Sequence, residues 1–361
     1  MIGCVWFGGT TISAAIGCTS VNNSIIVKKR EDVSYSGIVN GEFVDAEEFT
    51  IALRVVLRAA IGETKITKLF VGVPTQFCSV FVEETERTFE KPKKLGETDI
   101  KGLLATVKGT DVPNFAMISR NAVYYKIDGG RAIIDARGQM ASKLECQVCV
   151  TLAAESFLKA VAPCLGKWYS KIEFVPQITA EARYLIDEEK RDATCVLVSS
   201  QQFYTSVAVV SGDSIVYLRS FNMGLAHVVN DVSVVLAIDY DVAKLIVGEA
   251  VLSVAMGDND NYQISTGEKT RKFAAAKIND IIKCRLNVMS EHILNAVKSA
   301  DGELLSAEFF ICGGFLDSVN GVRDFWSKAI GVQLKQCVDP FTKLNSADEI
   351  GIRSLLRLMG A

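Results

Sequence analysis

The fold is decided by a stretch in the middle of the chain, Cys195-Val196-Leu197-Val198-Ser199-Ser200-Gln201-Gln202-Phe203-Tyr204-Thr205-Ser206-Val207-Ala208-Val209. One run of β-favouring residues enters a short turn and a second run leaves it, which predicts a β-hairpin. In nucleotide-binding hairpins of this shape the turn holds an acid and then glycines, because the acid binds a metal ion and glycines let backbone N–H groups approach a phosphate. The turn at 199–204 has neither a carboxylate nor a glycine, and its Phe203 and Tyr204 would crowd a phosphate. The sequence therefore predicts a hairpin of the nucleotide-binding shape that lacks the residues for holding a metal ion and a phosphate.

A similar hairpin opens the chain. Val5-Trp6-Phe7 is followed by the turn Gly8-Gly9-Thr10-Thr11 and by a second strand at 12–16. Helices are predicted after each hairpin, including one long helix over 228–247. A chain of 361 residues is also longer than a domain with a single hydrophobic core normally is. We therefore expect a duplicated α/β fold of two lobes, with any ligand bound in the cleft between them.

Composition excludes several classes of function. A net charge of −3 with scattered Lys and Arg argues against a nucleic-acid partner, which needs a clustered basic surface. The ten cysteines lie mostly inside apolar runs, and two histidines are too few for a dedicated metal site or a His-dependent triad. Cys146 and Cys149 lie in a predicted strand, where positions i and i+3 face opposite sides, which argues against a zinc or redox pair. With neither a signal peptide nor an 18-residue apolar span in the sequence, we expect a soluble cytoplasmic protein without a metal or an integral membrane segment.

A compact α+β insert is predicted at 80–154. It contains YKIDGGRAIIDARGQMASKLE at 125–145, which resembles the pattern y-x-l-D-G-x-x-x-i-x-d-P-x-G-M-x-G-x-x-L-E of the bacterial cell-division protein family FtsA. That family belongs to the actin, Hsp70 and hexokinase fold. The resemblance implies an actin-like two-lobed fold in which an SHS2 subdomain, called 1C, is inserted in the first lobe.

Three further segments are similar to the same family: 223–233 to its motif G-G-x-h-I-T-x-D-I-a, 311–316 to its adenosine-side glycine turn, and 348–356 to its last core helix. The resemblance covers nearly all of the chain. It implies subdomain 1A at 1–79 and 155–190, subdomain 1C at 80–154, subdomain 2A at 191–240 and 301–361, and subdomain 2B at 241–300. Apolar residues from 350 to Met359 are expected to pack in the core, and the family's membrane-binding helix beyond them is expected to be missing.

The family's catalytic acids have no counterpart in this chain. Family members hold ATP and Mg²⁺ with two acidic hairpins, whereas Trp6 and Ser199 take the acidic positions here, and Gln201, Gln202 and Phe203 take the glycine positions of the second hairpin. Loss of the metal-holding acid removes the largest contribution to phosphoryl transfer. We therefore expect no ATP hydrolysis and no enzyme activity. Gln177, after Pro176, would suit the placing of a water, but an exposed turn residue is the favoured interpretation.

Two hypotheses on the cofactor stay open. Gly8, Gly9, Thr10, Gly313 and Gly314 would suit nucleotide binding without hydrolysis, or a slow ATPase with a divergent site. The same glycines are also needed for backbone geometry alone. We favour the structural interpretation, with no cofactor and with ATP as the alternative.

The leading hypothesis on function is an adaptor or scaffold for cell division. The resemblance implies recruitment to the division site, head-to-tail polymerisation and binding of the tail of the tubulin-like protein FtsZ. Arg285 matches the Arg of the family's partner site, and Lys283 is its neighbour, so an acidic tail would be electrostatically complementary. A type IV pilus assembly protein of the PilM kind shares the fold and is ranked last.

Overall fold

The computed structural model describes residues 1–20, 24–166, 172–257, 259–266, 269–315, 319–339 and 347–358. Leu316, at the end of the predicted glycine turn, and Met359, in the predicted terminal stripe, lie outside these ranges. Among the described residues, no helix is both long enough and apolar enough to cross a membrane.

The first lobe is built on a five-stranded sheet. Its strands are β1 (Ile2–Phe7), β2 (Thr11–Thr19), β3 (Ile25–Ser34), β6 (Lys68–Val73) and β11 (Ile172–Pro176). The spatial order is β3–β2–β1–β6–β11, with the first three strands antiparallel and β6 and β11 parallel to β1. The lobe also contains the short strands β4 (Ile38–Val39) and β5 (Glu42–Phe43), and the helices α1 (Ala46–Ala60), α3 (Glu155–Leu165), α4 (Gln177–Leu185) and α5 (Glu188–Asp192).

The second lobe repeats this architecture. Its strands are β12 (Cys195–Ser200), β13 (Thr205–Ser211), β14 (Ser214–Phe221), β17 (Glu308–Cys312) and β18 (Leu334–Gln336). Their order is β14–β13–β12–β17–β18, again an antiparallel meander followed by two parallel strands. The lobe adds α6 (Leu225–Leu236), α7 (Tyr240–Glu249), β15 (Asn261–Thr266), β16 (Lys269–Ala274), α8 (Ala275–Ala300) and α9 (Val322–Ile330). The repeated strand order confirms the predicted duplicated, two-lobed α/β fold.

Burial explains why these segments form central strands and covering helices. Every residue of β12, and all but the first of β1, is buried, as expected for strands with helices on both faces. In the second lobe α8 contributes the largest core face, and the fully buried Trp326 of α9 donates its indole N–H to the Leu286 carbonyl at 3.2 Å. Each lobe therefore has its own core.

The insert lies between β6 and α3 of the first lobe. It consists of β7 (Cys78–Lys94), α2 (Glu97–Thr106), β8 (Phe115–Ile127), β9 (Ala132–Ile133) and β10 (Met140–Ala154). The strands form an antiparallel sheet in the order β7–β10–β8–β9, and α2 packs with the core that Leu103, Leu144 and Val148 share. Assignment of this unit to the SHS2 class, and of the six subdomain boundaries, stays a prediction.

Two junctions tie the parts together. The last described helix, α10 (Ala347–Arg357), packs on β1 and α4 of the first lobe. The insert contacts the edge of the second lobe, where Ser214 donates its hydroxyl to the Ala122 carbonyl at 3.0 Å and the Cys149 thiol donates to the Ile215 carbonyl at 3.0 Å. Cys146 lies instead in the insert core, so these two cysteines do face opposite sides of β10.

Candidate functional site

The two predicted hairpin turns meet where the lobes face each other. Gln202, in the turn between β12 and β13, lies directly on Gly9, in the turn between β1 and β2. A methyl group placed on Gly9 would come closer than 3.0 Å to Cβ of Gln202, which real Cβ atoms essentially never do. The space where a phosphate would lie against the first turn is therefore occupied by the second turn.

Phe203 extends this contact into the first lobe. Its ring lies against Gly37, whose added methyl group would be 2.9 Å from Cε2 of Phe203. Gly37 has a φ of +98°, a backbone conformation that side chains disfavour, so glycine is required here for two reasons. Tyr35 stabilises the same region by donating its hydroxyl to the Gly8 carbonyl at 2.9 Å and its amide to the Thr10 carbonyl at 3.0 Å.

The amino end of α6 is also occupied. Helix amino ends bind anions because their first N–H groups are unpaired and carry partial positive charge. Here the amides of Leu225 and Ala226 donate to the carbonyls of Gln201 and Gln202, at 3.2 and 2.8 Å. Gly224 allows this approach, since an added methyl group would collide with the Gln201 carbonyl.

Gly313 also allows close packing against the second hairpin. It follows β17 with a φ of +106°, and a methyl group there would come closer than 3.0 Å to the Ser200 backbone. Gly314 is the next residue along the chain. The glycine turn therefore touches the second hairpin itself, and its geometry is explained without a ligand.

Trp6, at the predicted position of a metal-binding acid, belongs to the core. It is 2% exposed and lies against Gly351 of α10, where any side chain would collide with the indole ring. Gly8, two residues after Trp6, also lies against α10, because a methyl group added to it would collide with the Asp348 carboxylate. Glycine at both positions lets α10 pack tightly on the first hairpin.

A buried carboxylate that the sequence analysis missed lies behind the second turn. Glu181 of α4 is 3% exposed and accepts a hydrogen bond from the Ser199 hydroxyl at 3.0 Å and from the Gln201 side-chain amide at 3.4 Å. Burial raises the pKa of Glu181 to about 7, only partly offset by the Ser199 hydrogen bond. Glu181 lies one helical turn after Gln177 on the same face of α4, and this spacing in the sequence is the feature from which it could have been predicted as a site residue.

Gln177 is buried too, so the favoured interpretation as an exposed turn residue is wrong. It is 2% exposed, donates its side-chain amide to the Phe7 carbonyl at 2.9 Å and accepts from the Tyr204 hydroxyl at 3.4 Å. The expected exposure followed from Pro176 and overlooked the second lobe, which covers the start of α4. Gln177 therefore links the first strand to the second turn.

The predicted partner residues lie on α8. The Arg285 guanidinium makes a bidentate pair with the Asp231 carboxylate of α6, with Nε to Oδ2 at 2.6 Å and Nη2 to Oδ1 at 2.8 Å. This hydrogen bond raises the pKa of Arg285 further. Lys283 lies two residues earlier and is half-buried. An acidic partner segment at Arg285 would compete with Asp231.

Within the described residues, no group of three or more His, Cys, Asp or Glu side chains is placed to hold a metal ion. Glu181 and Asp348 approach the cleft separately, from α4 and α10, and each is already in contact with protein. Around the two hairpin turns, the described residues therefore form a packed contact between the lobes instead of an open phosphate site.

Comparison with known proteins reveals relatives by structure alone, because no family model and no curated protein matches the chain. Its structure is similar to that of the PilM–PilN type IV pilus biogenesis complex, with a TM-score of 0.64 and 12% identity over 99% of this chain and 96% of that chain. MreB5 of Spiroplasma citri bound to ADP gives a TM-score of 0.60 and 12% identity over 99% and 96%. A non-polymerising mutant of MamK bound to AMPPNP gives 0.51 and 11% over 100% and 98%.

None of these three is FtsA, and the resemblance to that family stays a prediction. Identities near 12% show the fold alone. The repeated five-stranded sheets and these similarities together show that the chain has the two-lobed actin-like fold.

Proposed function

We propose that this chain is a scaffold or adaptor of the actin-like fold that has lost ATP hydrolysis and acts through protein contacts. The observation that carries the proposal is the position of the second turn. Gln202 and Phe203 of this turn lie against Gly9 and Gly37 of the first lobe, and the turn carbonyls occupy the amino end of α6. The phosphates of a nucleotide could reach the first turn and the amino end of α6 only if this packing were broken.

The missing acids support the same proposal. Mg²⁺ is bound through carboxylate oxygens together with phosphates, and phosphoryl transfer depends on the charge that the metal neutralises. Trp6 packs under α10, and Ser199 donates to Glu181. Neither side chain supplies the carboxylate that an aspartate would offer a metal ion.

The finer proposal is a cell-division adaptor that is recruited to the division site, binds the FtsZ tail and self-assembles. It rests on the sequence resemblance at 125–145 and on the fold, which the non-polymerising MamK mutant shares. The PilM–PilN structure supports the general proposal of a scaffold or adaptor, because it shows a protein of this fold in a type IV pilus biogenesis complex. A role in pilus assembly is the alternative that this similarity favours.

The proposal is tested by thermal unfolding of the full chain with ATP, ADP and AMPPNP, each with and without Mg²⁺. A ligand at 100 times its dissociation constant adds about 2.7 kcal/mol, which raises the melting temperature by several degrees. We expect no shift up to millimolar nucleotide. MreB5, measured beside it, serves as the positive control. A saturable, Mg²⁺-dependent shift would show a working nucleotide site and overturn the proposal.

A further inference from the structure

The helix α1 covers the sheet of the first lobe with one face and leaves the opposite face in solvent. Its inner face contributes six buried residues to the core of that lobe. On its outer face lies the α1 ridge, which we define as Ile51, Arg54, Val55 and Arg58. These residues follow one another at spacings of three and four, so their side chains are neighbours on successive helical turns.

The ridge exposes large aliphatic side chains. Ile51 is 55% exposed and Val55 is 49% exposed. Val44, which precedes the N-cap residue Asp45, adds a third aliphatic side chain near the start of the helix and is 58% exposed. The outer face of a helix that covers only its own lobe is normally polar. Neighbouring aliphatic side chains in solvent are instead typical of a protein contact surface.

The two arginines of the ridge have no acidic partner. Both are exposed, and within the described ranges neither forms an ion pair. A carboxylate four residues before each arginine would stabilise an exposed helix, but Thr50 precedes Arg54 at that spacing and Arg54 itself precedes Arg58. Arg54 lies near the Cys164 thiol, whose pKa is raised by burial, so that neighbour is neutral.

The acids of α1 are confined to its start. Glu48 accepts a hydrogen bond from the Ser36 amide at 2.8 Å and another from the Ser36 hydroxyl. Asp45 caps the helix by accepting from the amides of Glu47 and Glu48, and all three carboxylates interact favourably with the helix dipole. From residue 49 to residue 62 the two arginines are the only charged side chains. The ridge is therefore apolar and positive.

Arginine in this setting indicates a protein partner. Arg is enriched at protein interfaces, whereas Lys is depleted there, and a guanidinium binds a carboxylate through two parallel hydrogen bonds. Arg285 makes such a pair with Asp231 inside this molecule, on the other lobe. An anionic bilayer fits the ridge less well, because the exposed Glu47 lies one turn before Ile51 and would be repelled.

We propose that the α1 ridge binds an acidic amphipathic helix of another protein. Leucine-like side chains of that helix contact Ile51 and Val55, and its carboxylates pair with Arg54 and Arg58. Both helices repeat their side chains every three to four residues, so successive turns of one can meet successive turns of the other. The inference rests on the proposed function, in which the chain acts through protein contacts, and it names the chemical class of one partner.

The test uses two synthetic peptides of about 18 residues, a length at which an amphipathic helix can form. Both have Leu at the same positions of one face, and the flanking positions are Glu in the acidic peptide and Lys in the basic peptide. Fluorescence anisotropy measures the binding of each labelled peptide to the full chain. We expect the acidic peptide to bind at least tenfold more tightly at 0.05 M NaCl, and the difference to shrink at 0.5 M because salt screens exposed charges.

Two variants separate the charges of the ridge from its apolar side chains. Arg54→Glu with Arg58→Glu reverses the charge, so it should bind the basic peptide at least tenfold more tightly than the acidic one. Ile51→Ala with Val55→Ala should weaken binding of the acidic peptide at least tenfold and keep the preference for it. A reversed preference is a result that a merely structural role of the arginines would not produce.

The matched control is Lys328→Glu with Val254→Ala, which changes an exposed cation and an exposed valine of the second lobe. It should bind both peptides as the wild type does. Because every changed side chain is exposed, circular dichroism should show the wild-type fold for all three variants.

Equal affinity of the wild type for the two peptides would overturn the inference, and so would an R54E/R58E variant that still prefers the acidic peptide. Wild-type binding to phosphatidylglycerol vesicles that this variant loses would assign the ridge to a membrane and also overturn it. Nucleotide binding is a separate measurement. A chain that binds Mg-ATP and still distinguishes the two peptides would overturn the proposed function and leave this inference standing.

Discussion

Glu181 is a carboxylate buried at the boundary between the lobes, and its hydrogen-bond partners are neutral. Ser199 and Gln201 both donate to it from the second lobe, and Cys312 and Tyr204 are close enough to interact electrostatically. Its pKa is raised to about 7 from 4.5, because burial penalises the charged form and no cation compensates. The folded protein therefore binds a proton at Glu181 more tightly than the unfolded chain does.

This predicts the direction of the pH dependence. The stability that the protonated carboxyl contributes is fully present below pH 4.5 and is lost as the pH rises through about 7. Glu181→Gln keeps the shape and stays neutral. At pH 8 it should therefore be more stable than the wild type by on the order of 3 kcal/mol, with little difference at pH 4.5. Urea unfolding from pH 4.5 to 8 measures this. Glu63→Gln, at an exposed position, is the control, and an equal stability of E181Q and wild type at pH 8 would contradict the prediction.

At the scale of single elements, the sequence predicted the strands better than the helix ends. The hairpin at 195–209 forms as expected, because two β-favouring runs flank a short polar turn. The predicted helix over 228–247 is wrong as one element: it breaks at Ala237, which has a φ of +49°. Ser233 donates its hydroxyl to the Ile238 carbonyl at 2.6 Å, and α7 starts after Asp239. The apolar pattern continues through the break because α6 buries Leu225 and three valines and α7 buries Ile246 and Val247, so periodicity alone could not reveal it.

The turn after β17 allows a direct comparison of two glycines. Gly313→Ala should lower the free energy of unfolding by more than about 3 kcal/mol or prevent folding, because its φ is positive and its added Cβ would collide with Ser200. Gly248→Ala, in α7 with no atom within 4 Å of the added Cβ, should instead raise it by about 0.5–1 kcal/mol. Denaturant unfolding of both variants measures this. If G313A were as stable as the wild type, the packing explanation of this turn would fail.

At the scale of the whole molecule, the contact between the second turn and the first lobe was only partly predictable. The sequence indicated that Phe203 and Tyr204 leave no room for a phosphate, which follows from their size. It could not identify Gly37 as the partner of Phe203, because that contact joins two lobes that are distant in sequence. The burial of Gln177 and Glu181 was missed for the same reason, since their covering residues come from the second lobe.

The cross-lobe contact of Phe203 should hold the two lobes in their relative position. Phe203→Ala removes the ring from Gly37 and leaves the fold of each lobe intact. We therefore expect the free energy of unfolding to fall by about 1–2 kcal/mol. The substitution should also weaken the backbone hydrogen bonds on either side of the turn, in which the amides of Tyr35, Leu225 and Ala226 are the donors. Amide hydrogen exchange should become faster at Tyr35 on the first lobe and at Leu225 and Ala226 on the second, while amides of the β12 core stay protected. Val288→Ala, at an exposed apolar position of α8 in the second lobe, is the control. Unchanged exchange at these three amides would mean that the turn fills the cleft without linking the lobes.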